Sequence, residues 1–263
     1  MKLVYLLLAL LAFTFQLKSQ TACVNTPYSF SVGEQLRYEI SYNWGFIWVN
    51  AGEVHFQVRA HSIEGVQAFH FFSTGRSYPK LDWLFKVRDT FEVYSRAADL
   101  HPLFYRRHTL EGGFRIQNQY RFDPAKKLAY AAMEESRTAF HRDTIQVSDC
   151  TFDVLTATYV ARSINFDKHQ SGDTIGLQIL LDGKTFELPV VLRGYEKIKN
   201  RDGKWWDCIL FSAVLDRGTM FRAGEELLVW VSDDEQKIPV MMEAKIAVGS
   251  IKIYLKSAVT SGK

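Results

Sequence analysis

The chain has 263 residues, 47% hydrophobic and 23% charged, proportions that exclude a disordered or fibrous protein and allow one large core or two small ones without metal or disulfide staples. Its formal net charge of +3 falls to +1, 30 basic against 29 acidic residues, once residues 1–20 are set apart. No Lys/Arg run exceeds two residues, so there is no basic stripe, and nucleic acid is set aside as a partner.

The chain opens with Lys2 and an apolar run from Leu3 to Phe15, closed by Gln16, Lys18, Ser19 and Gln20. A basic start followed by such a run is the pattern of a secretory signal peptide, and the run is shorter than the roughly 20 apolar residues of a membrane-spanning helix. Residues 1–20 are therefore expected to be a leader, cleaved between Ser19 and Ala22. The mature chain is expected to be exported, to the periplasm or in association with the outer membrane, with no transmembrane span. Lipidation of Cys23 is the alternative processing, but Gln20 occupies the position three before it where that signal takes an aliphatic residue.

From Gln35 onward, short segments alternate apolar and polar residues, the period of half-buried strands. Leu36, Tyr38, Ile40 and Tyr42 alternate with Arg37, Glu39 and Ser41, and Val54, Phe56 and Val58 with Glu53, His55, Gln57 and Arg59. Between these two runs, Tyr42, Trp44, Phe46 and Trp48 fall on alternate positions and share one face if the chain there is extended. Such a row either lines an apolar groove for lipid or sugar or belongs to the core. Further strands are expected at about 66–74, 89–95, 103–110, 114–122, 128–134 and 138–145, with a short helical turn starting at Pro79.

Between Ser148 and Asn165 the period changes. Phe152, Leu155, Tyr159, Val160 and Ile164 recur at intervals of three and four, which predicts one principal helix over about Thr151–Ile164, capped by Asp149 or Thr151. Strands follow at about 174–181, 186–192, 195–200, 205–215, 226–231, 240–248 and 251–255. Asp182-Gly183 and Asp202-Gly203 mark tight hairpin turns, because both residue types tolerate the positive backbone angles such turns need. The expected fold is mainly β: antiparallel sheets forming a curved sheet, sandwich or partial barrel with one principal helix near the middle. No linker marks a boundary, so residues 21–263 read as one β domain, or as two sheet halves joined around 149–173.

The chemistry-bearing motifs are sparse. No His-Glu-x-x-His or other close histidine pair is present, Gly183-Lys184-Thr185 lacks the upstream glycine of a phosphate loop, and there is no Gly-x-Ser-x-Gly nucleophile elbow. No catalytic residue, metal site or cofactor is assigned. Asp233, Asp234 and Glu235 are adjacent carboxylates that form a polar turn, hold a calcium ion or serve as the acid and base of a glycan hydrolase. Cys150 and Cys208 either bridge each other or stay as buried thiols.

Trp230-Val231-Ser232-Asp233-Asp234-Glu235, Lys237-Ile238-Pro239-Val240, Glu243-Ala244-Lys245-Ile246 and Val248-Gly249-Ser250-Ile251-Lys252 together resemble the bacterial domain-of-unknown-function family 3108. Gly33-Glu34-Gln35-Leu36-Arg37-Tyr38, Ala51-Gly52, Asp89-Thr90-Phe91 and Phe152-Asp153-Val154-Leu155-Thr156-Ala157 extend the resemblance to about residues 30–256. The resemblance implies an exported, mostly β envelope protein and carries no catalytic residues to transfer. Two functions follow as expectations: a non-catalytic binding or structural module for a lipid, a glycan or an envelope protein, and, as the alternative, an envelope glycan hydrolase working through residues 233–235.

Overall fold

The computed structural model describes residues 20–21, 24, 27–44, 47–215, 225–245 and 249–260. The leader expected over residues 1–20 lies outside them apart from Gln20, and so does Cys23. The first half of the chain forms β1 (Gln20–Thr21), β2 (Gln35–Trp44), β3 (Ile47–Ile63), β4 (Val66–Ser77), β5 (Val87–Arg96), β6 (Pro102–Glu111), β7 (Phe114–Asp123), β8 (Leu128–Glu135) and β9 (Thr138–Gln146). A short strand β10 (Thr151–Phe152) leads into helix α1 (Val154–Arg162). The second half contributes β11 (Thr174–Leu181), β12 (Lys184–Lys199), β13 (Trp205–Leu215), β14 (Glu225–Ser232), β15 (Pro239–Lys245) and β16 (Ser250–Val259).

All of these strands join one sheet in the order β1-β11-β12-β13-β14-β15-β16-β2-β3-β4-β5-β6-β7-β8-β9, with β10 pairing β11 beside β1. The two halves of the chain are each a run of hairpins, and β16 pairs with β2 to fuse them. Pairing is antiparallel throughout the described strands except for β1 and β10 against β11. The mainly β expectation is met, as a curved sheet not closed into a barrel.

Its curvature follows from what the helix touches. Helix α1 packs on β11 and also on β4 and β5. Strands β11 and β5 stand nine positions apart in the sheet order, about 43 Å in a flat sheet at about 4.8 Å per strand, several times the width of a helix. The sheet must therefore roll round α1, and one core runs through β3 to β9, the helix and β11 to β14. Alternation fixes which face turns inward: Val58, Phe71, Val93, Tyr105, Tyr120 and Ala131 are successive cross-strand partners and all are buried.

Two latches hold the roll together. The Asp182-Gly183 turn has both residues at positive φ, 49° and 74°, as the sequence predicted for a tight hairpin. It points across the roll, where Arg107 Nη1 and Asn118 Nδ2 donate to Asp182 Oδ1 at 3.0 and 2.9 Å and the Gly183 N–H donates to Tyr120 Oη at 3.0 Å. The second latch is the buried ion pair of Arg162 and Glu34, each side chain 2% exposed.

Three local expectations need correction. The helix cap is Asp153, not Asp149 or Thr151, because Thr151 and Phe152 are taken up as β10 against β11. Asp153 accepts from the N–H groups of Leu155 and Thr156 at 2.9 and 3.0 Å and from the Thr156 hydroxyl at 2.6 Å; its burial pushes the carboxyl up to about 6. The strands expected at 186–192 and 195–200 are one strand, β12, with a bulge between Leu192 and Gly194. Cys208 is a free buried thiol while Cys150 is disulfide-bonded, so the two do not bridge each other.

Candidate functional site

The aromatic row does not stay on one face. Strands β2 and β3 pair antiparallel, with Trp44 opposite Ile47, Asn43 opposite Trp48 and Tyr42 opposite Val49. Directly paired residues share a face, so Tyr42 lies on the face of Val49, and Trp48 lies on the other with Asn43. The condition of an extended segment, on which a continuous groove depended, is not met. Phe46 and the Trp44 side chain lie outside the described residues. Trp48 is 40% exposed, with Lys252 Nζ 5.5 Å from its ring centre.

Asp233, Asp234 and Glu235 form the turn between β14 and β15. Asp234 Oδ1 accepts from the Ser232 hydroxyl at 2.8 Å and from the N–H groups of Gln236 and Lys237 at 2.9 and 3.0 Å. Ser232 Oγ in turn accepts from the Ile238 N–H at 2.9 Å, and the Asp233 N–H donates to the Asp207 carbonyl at 2.9 Å. A carboxylate oxygen holding three bonds of this kind fixes a turn. Asp234→Asn, which keeps an acceptor oxygen, is expected to change stability by less than about 1 kcal/mol, and Asp234→Ala to cost about 1–2 kcal/mol. Urea unfolding of both variants checks this, and equal losses would show that charge rather than the hydrogen bonds matters.

Sequence reasoning missed what anchors this turn. Arg162, in the last turn of α1, donates from Nη1 and Nη2 to the two Glu34 oxygens at 2.7 and 2.9 Å. It also donates to the carbonyls of Ser29 and Gln236 at 3.0 Å and of Lys237 at 3.1 Å. One guanidinium thus ties the helix to the segment before β2 and to the acidic turn. The available signal was Arg162 itself, the one charged residue in α1, falling on the apolar stripe of Leu155 and Tyr159. A charge on a buried stripe requires a partner.

The solvent face of the roll carries a different set of groups. His55, Thr74, Thr90, His108 and Gln117 are successive cross-strand partners on the face opposite the core row. Around them lies a depression of about 410 Å³ whose polar side chains include Glu53, Arg76 and Arg88. Arg76 is paired with Glu53, its Nε donating at 2.7 Å. Arg88 is held by Asp82 through both carboxylate oxygens, at 3.1 and 2.5 Å. Partial burial, then the nearby Arg37, lowers the His55 pKa, so this imidazole is neutral at pH 7 and offers one donor and one acceptor. Asp89, which belongs to the core side of β5, has its carboxyl pushed up to about 7 by burial and by Glu111.

Further along the same face, His70 Nε2 and the Tyr94 hydroxyl meet Glu92 Oε1 at 3.0 and 3.1 Å, and the His70 and Tyr94 rings stack at 4.5 Å. Arg106 pairs with the other Glu92 oxygen. His70 is thus a satisfied, buried histidine. Among the described residues no group of three or more His, Cys, Asp or Glu side chains is placed to hold a metal ion.

In fold the chain is similar to the crystal structure of a beta-barrel-like protein of domain of unknown function DUF1849 from Brucella abortus, with a TM-score of 0.57 over 89% of this chain and 99% of that one. The two are 7% identical in sequence, so the likeness is one of fold alone. No curated protein matches the chain in sequence. The model of the family described as protein of unknown function (DUF3108) matches residues 37–256, a span containing the Asp182-Gly183 latch, Arg162 and the polar depression, and the chain belongs to that family.

Proposed function

We propose that this protein is a non-catalytic binding module of the bacterial cell envelope, and that the depression between β3 and β6 receives a hydroxyl-rich glycan. The observation that carries this reading is the use of the two sheet faces. The core face is occupied by α1 and the protein's own aromatic side chains, which leaves ligand contact to the outer face. There the side chains of His55, Thr74, Thr90 and His108 stand in line, with the guanidinium groups of Arg76 and Arg88 beside them. Hydroxyl and imidazole groups match sugar hydroxyls, while Arg76 and Arg88 are held in place by Glu53 and Asp82. The depression has no large apolar side chain in its lining, which disfavours a lipid tail. The Lys2 and Leu3–Phe15 pattern supports export, where such glycans are met.

Calorimetric titration with soluble envelope glycan fragments tests the reading. The wild type is expected to bind without turnover, and a His55→Ala/His108→Ala double variant to bind about tenfold more weakly, the effect of one or two lost hydrogen bonds. Absence of binding by the wild type overturns the proposal. Turnover that is lost in Asp233→Asn would establish the hydrolase instead.

A further inference from the structure

At the end of the roll where β4 meets β5, the connection Pro79–Lys86 exposes three consecutive apolar side chains. Trp83 is 80% exposed, Leu84 49% and Phe85 47%. Isolated exposed apolar residues are ordinary, but three in a row on an ordered turn are not. The turn is well held. The N–H groups of Leu84 and Phe85 donate to the Leu81 carbonyl at 2.9 and 3.1 Å, and the Gly112 N–H donates to the Lys86 carbonyl at 2.9 Å. Ser77 Oγ donates to Asp82 at 2.5 Å and accepts from the Val87 N–H at 2.9 Å. The Phe85 ring lies over Gly112, where an added Cβ would come within 2.4 Å of it. Trp83 and Leu84 are left at the tip.

Within Pro79–Lys86 the charge left unpaired has one sign, while Glu111 of β6 stands opposite Val87 at its base. Asp82, the single carboxylate between Pro79 and Lys86, is neutralised by Arg88, while Lys80 and Lys86 bracket the apolar residues and are exposed. A second apolar tip stands at the same end of the sheet. The Tyr78 N–H donates to the Ala51 carbonyl, and β3 runs four residues beyond that bond to Ile47. There Ile47 is 65% and Trp48 40% exposed, with Lys252 beside the Trp48 ring. Tryptophan at the tip of a rigid turn, flanked by lysines, suits the boundary between lipid headgroups and acyl chains.

We propose that this end of the roll docks on an anionic lipid bilayer, with Trp83 and Leu84 entering the interface and Lys80 and Lys86 contacting the headgroups. The tip adjoins the polar depression through the Arg88–Asp82 pair but shares none of the varied residues with it, so the glycan titration and the membrane assay succeed or fail independently. Co-sedimentation of the purified protein with phosphatidylglycerol-containing vesicles is the test, with phosphatidylcholine vesicles as the comparison. Binding to the anionic vesicles is expected, together with a blue-shifted tryptophan emission that is reduced in Trp83→Phe. Trp83→Ala is expected to weaken binding about tenfold or more, from the apolar area it removes. Lys80→Ala and Lys86→Ala are expected to weaken it about fivefold each. Thermal unfolding should stay unchanged in all of these variants, because the altered side chains are exposed. No binding to anionic vesicles, equal binding to both vesicle types, or undiminished binding by Trp83→Ala would each overturn the proposal. So would a wild-type dimer in solution that Trp83→Ala converts to a monomer, since the tip would then be a contact between copies.

Discussion

An Arg162→Ala variant is expected to lose about 3–5 kcal/mol of folding stability, because it strands the Glu34 carboxylate in a site closed to water. Glu34→Ala should be comparably severe, leaving an unpaired guanidinium. The pair is more than two charges. Arg162 also satisfies the carbonyls of Ser29, Gln236 and Lys237, so truncating it leaves three acceptors short of a donor as well. Replacing both partners by apolar residues often restores what a buried ion pair contributes. Here an Arg162→Met/Glu34→Leu protein is expected to recover only part of the loss, since the three carbonyls stay unsatisfied. Urea unfolding of the two single variants and the double variant decides the matter. A single-variant loss below about 1 kcal/mol would mean that water reaches the pair and that the latch does not hold the acidic turn.

How much of this was legible in the sequence depends on the range of the interaction. Alternation at Glu53–Arg59 placed His55 on the polar face and Val54, Phe56 and Val58 on the other, and the register confirms that division. The Asp182-Gly183 turn was readable because its geometry is set by two adjacent residues. What the turn touches was not, since Arg107, Asn118 and Tyr120 are 63 or more residues away in sequence and are brought to it by the rolling of the sheet. The row from Tyr42 to Trp48 misled for a related reason. Period-2 spacing continues unchanged from β2 into β3, yet their antiparallel register sets even-numbered residues of one opposite odd-numbered residues of the other, so the row changes face. The polar depression has no motif because each of its four central side chains comes from a different strand.

The second large effect is expected at Tyr159, where the helix meets the core face. Its ring stacks on Phe71 with centroids 4.0 Å apart and planes 15° apart, takes the edge of Phe30 at 5.1 Å, and lies 5.5 Å from the Arg162 guanidinium carbon. Tyr159 and Phe71 are both buried, so Tyr159→Ala opens a cavity beneath the helix and is expected to cost about 3–5 kcal/mol. The hydroxyl contributes differently from the ring. Burial holds the phenol far above its ordinary pKa, and its oxygen has no hydrogen-bond partner among the described residues. Tyr159→Phe removes that group while keeping the stack on Phe71 and the ring beneath Arg162. Its stability is therefore expected to lie within about 1 kcal/mol of the wild type, on the stabilising side, because an unsatisfied buried hydroxyl is a burden to the folded state. Chemical unfolding of the wild type, Tyr159→Phe and Tyr159→Ala separates the two contributions. If Tyr159→Phe loses nearly as much as Tyr159→Ala, the hydroxyl rather than the aromatic stack would be what holds α1 against the sheet.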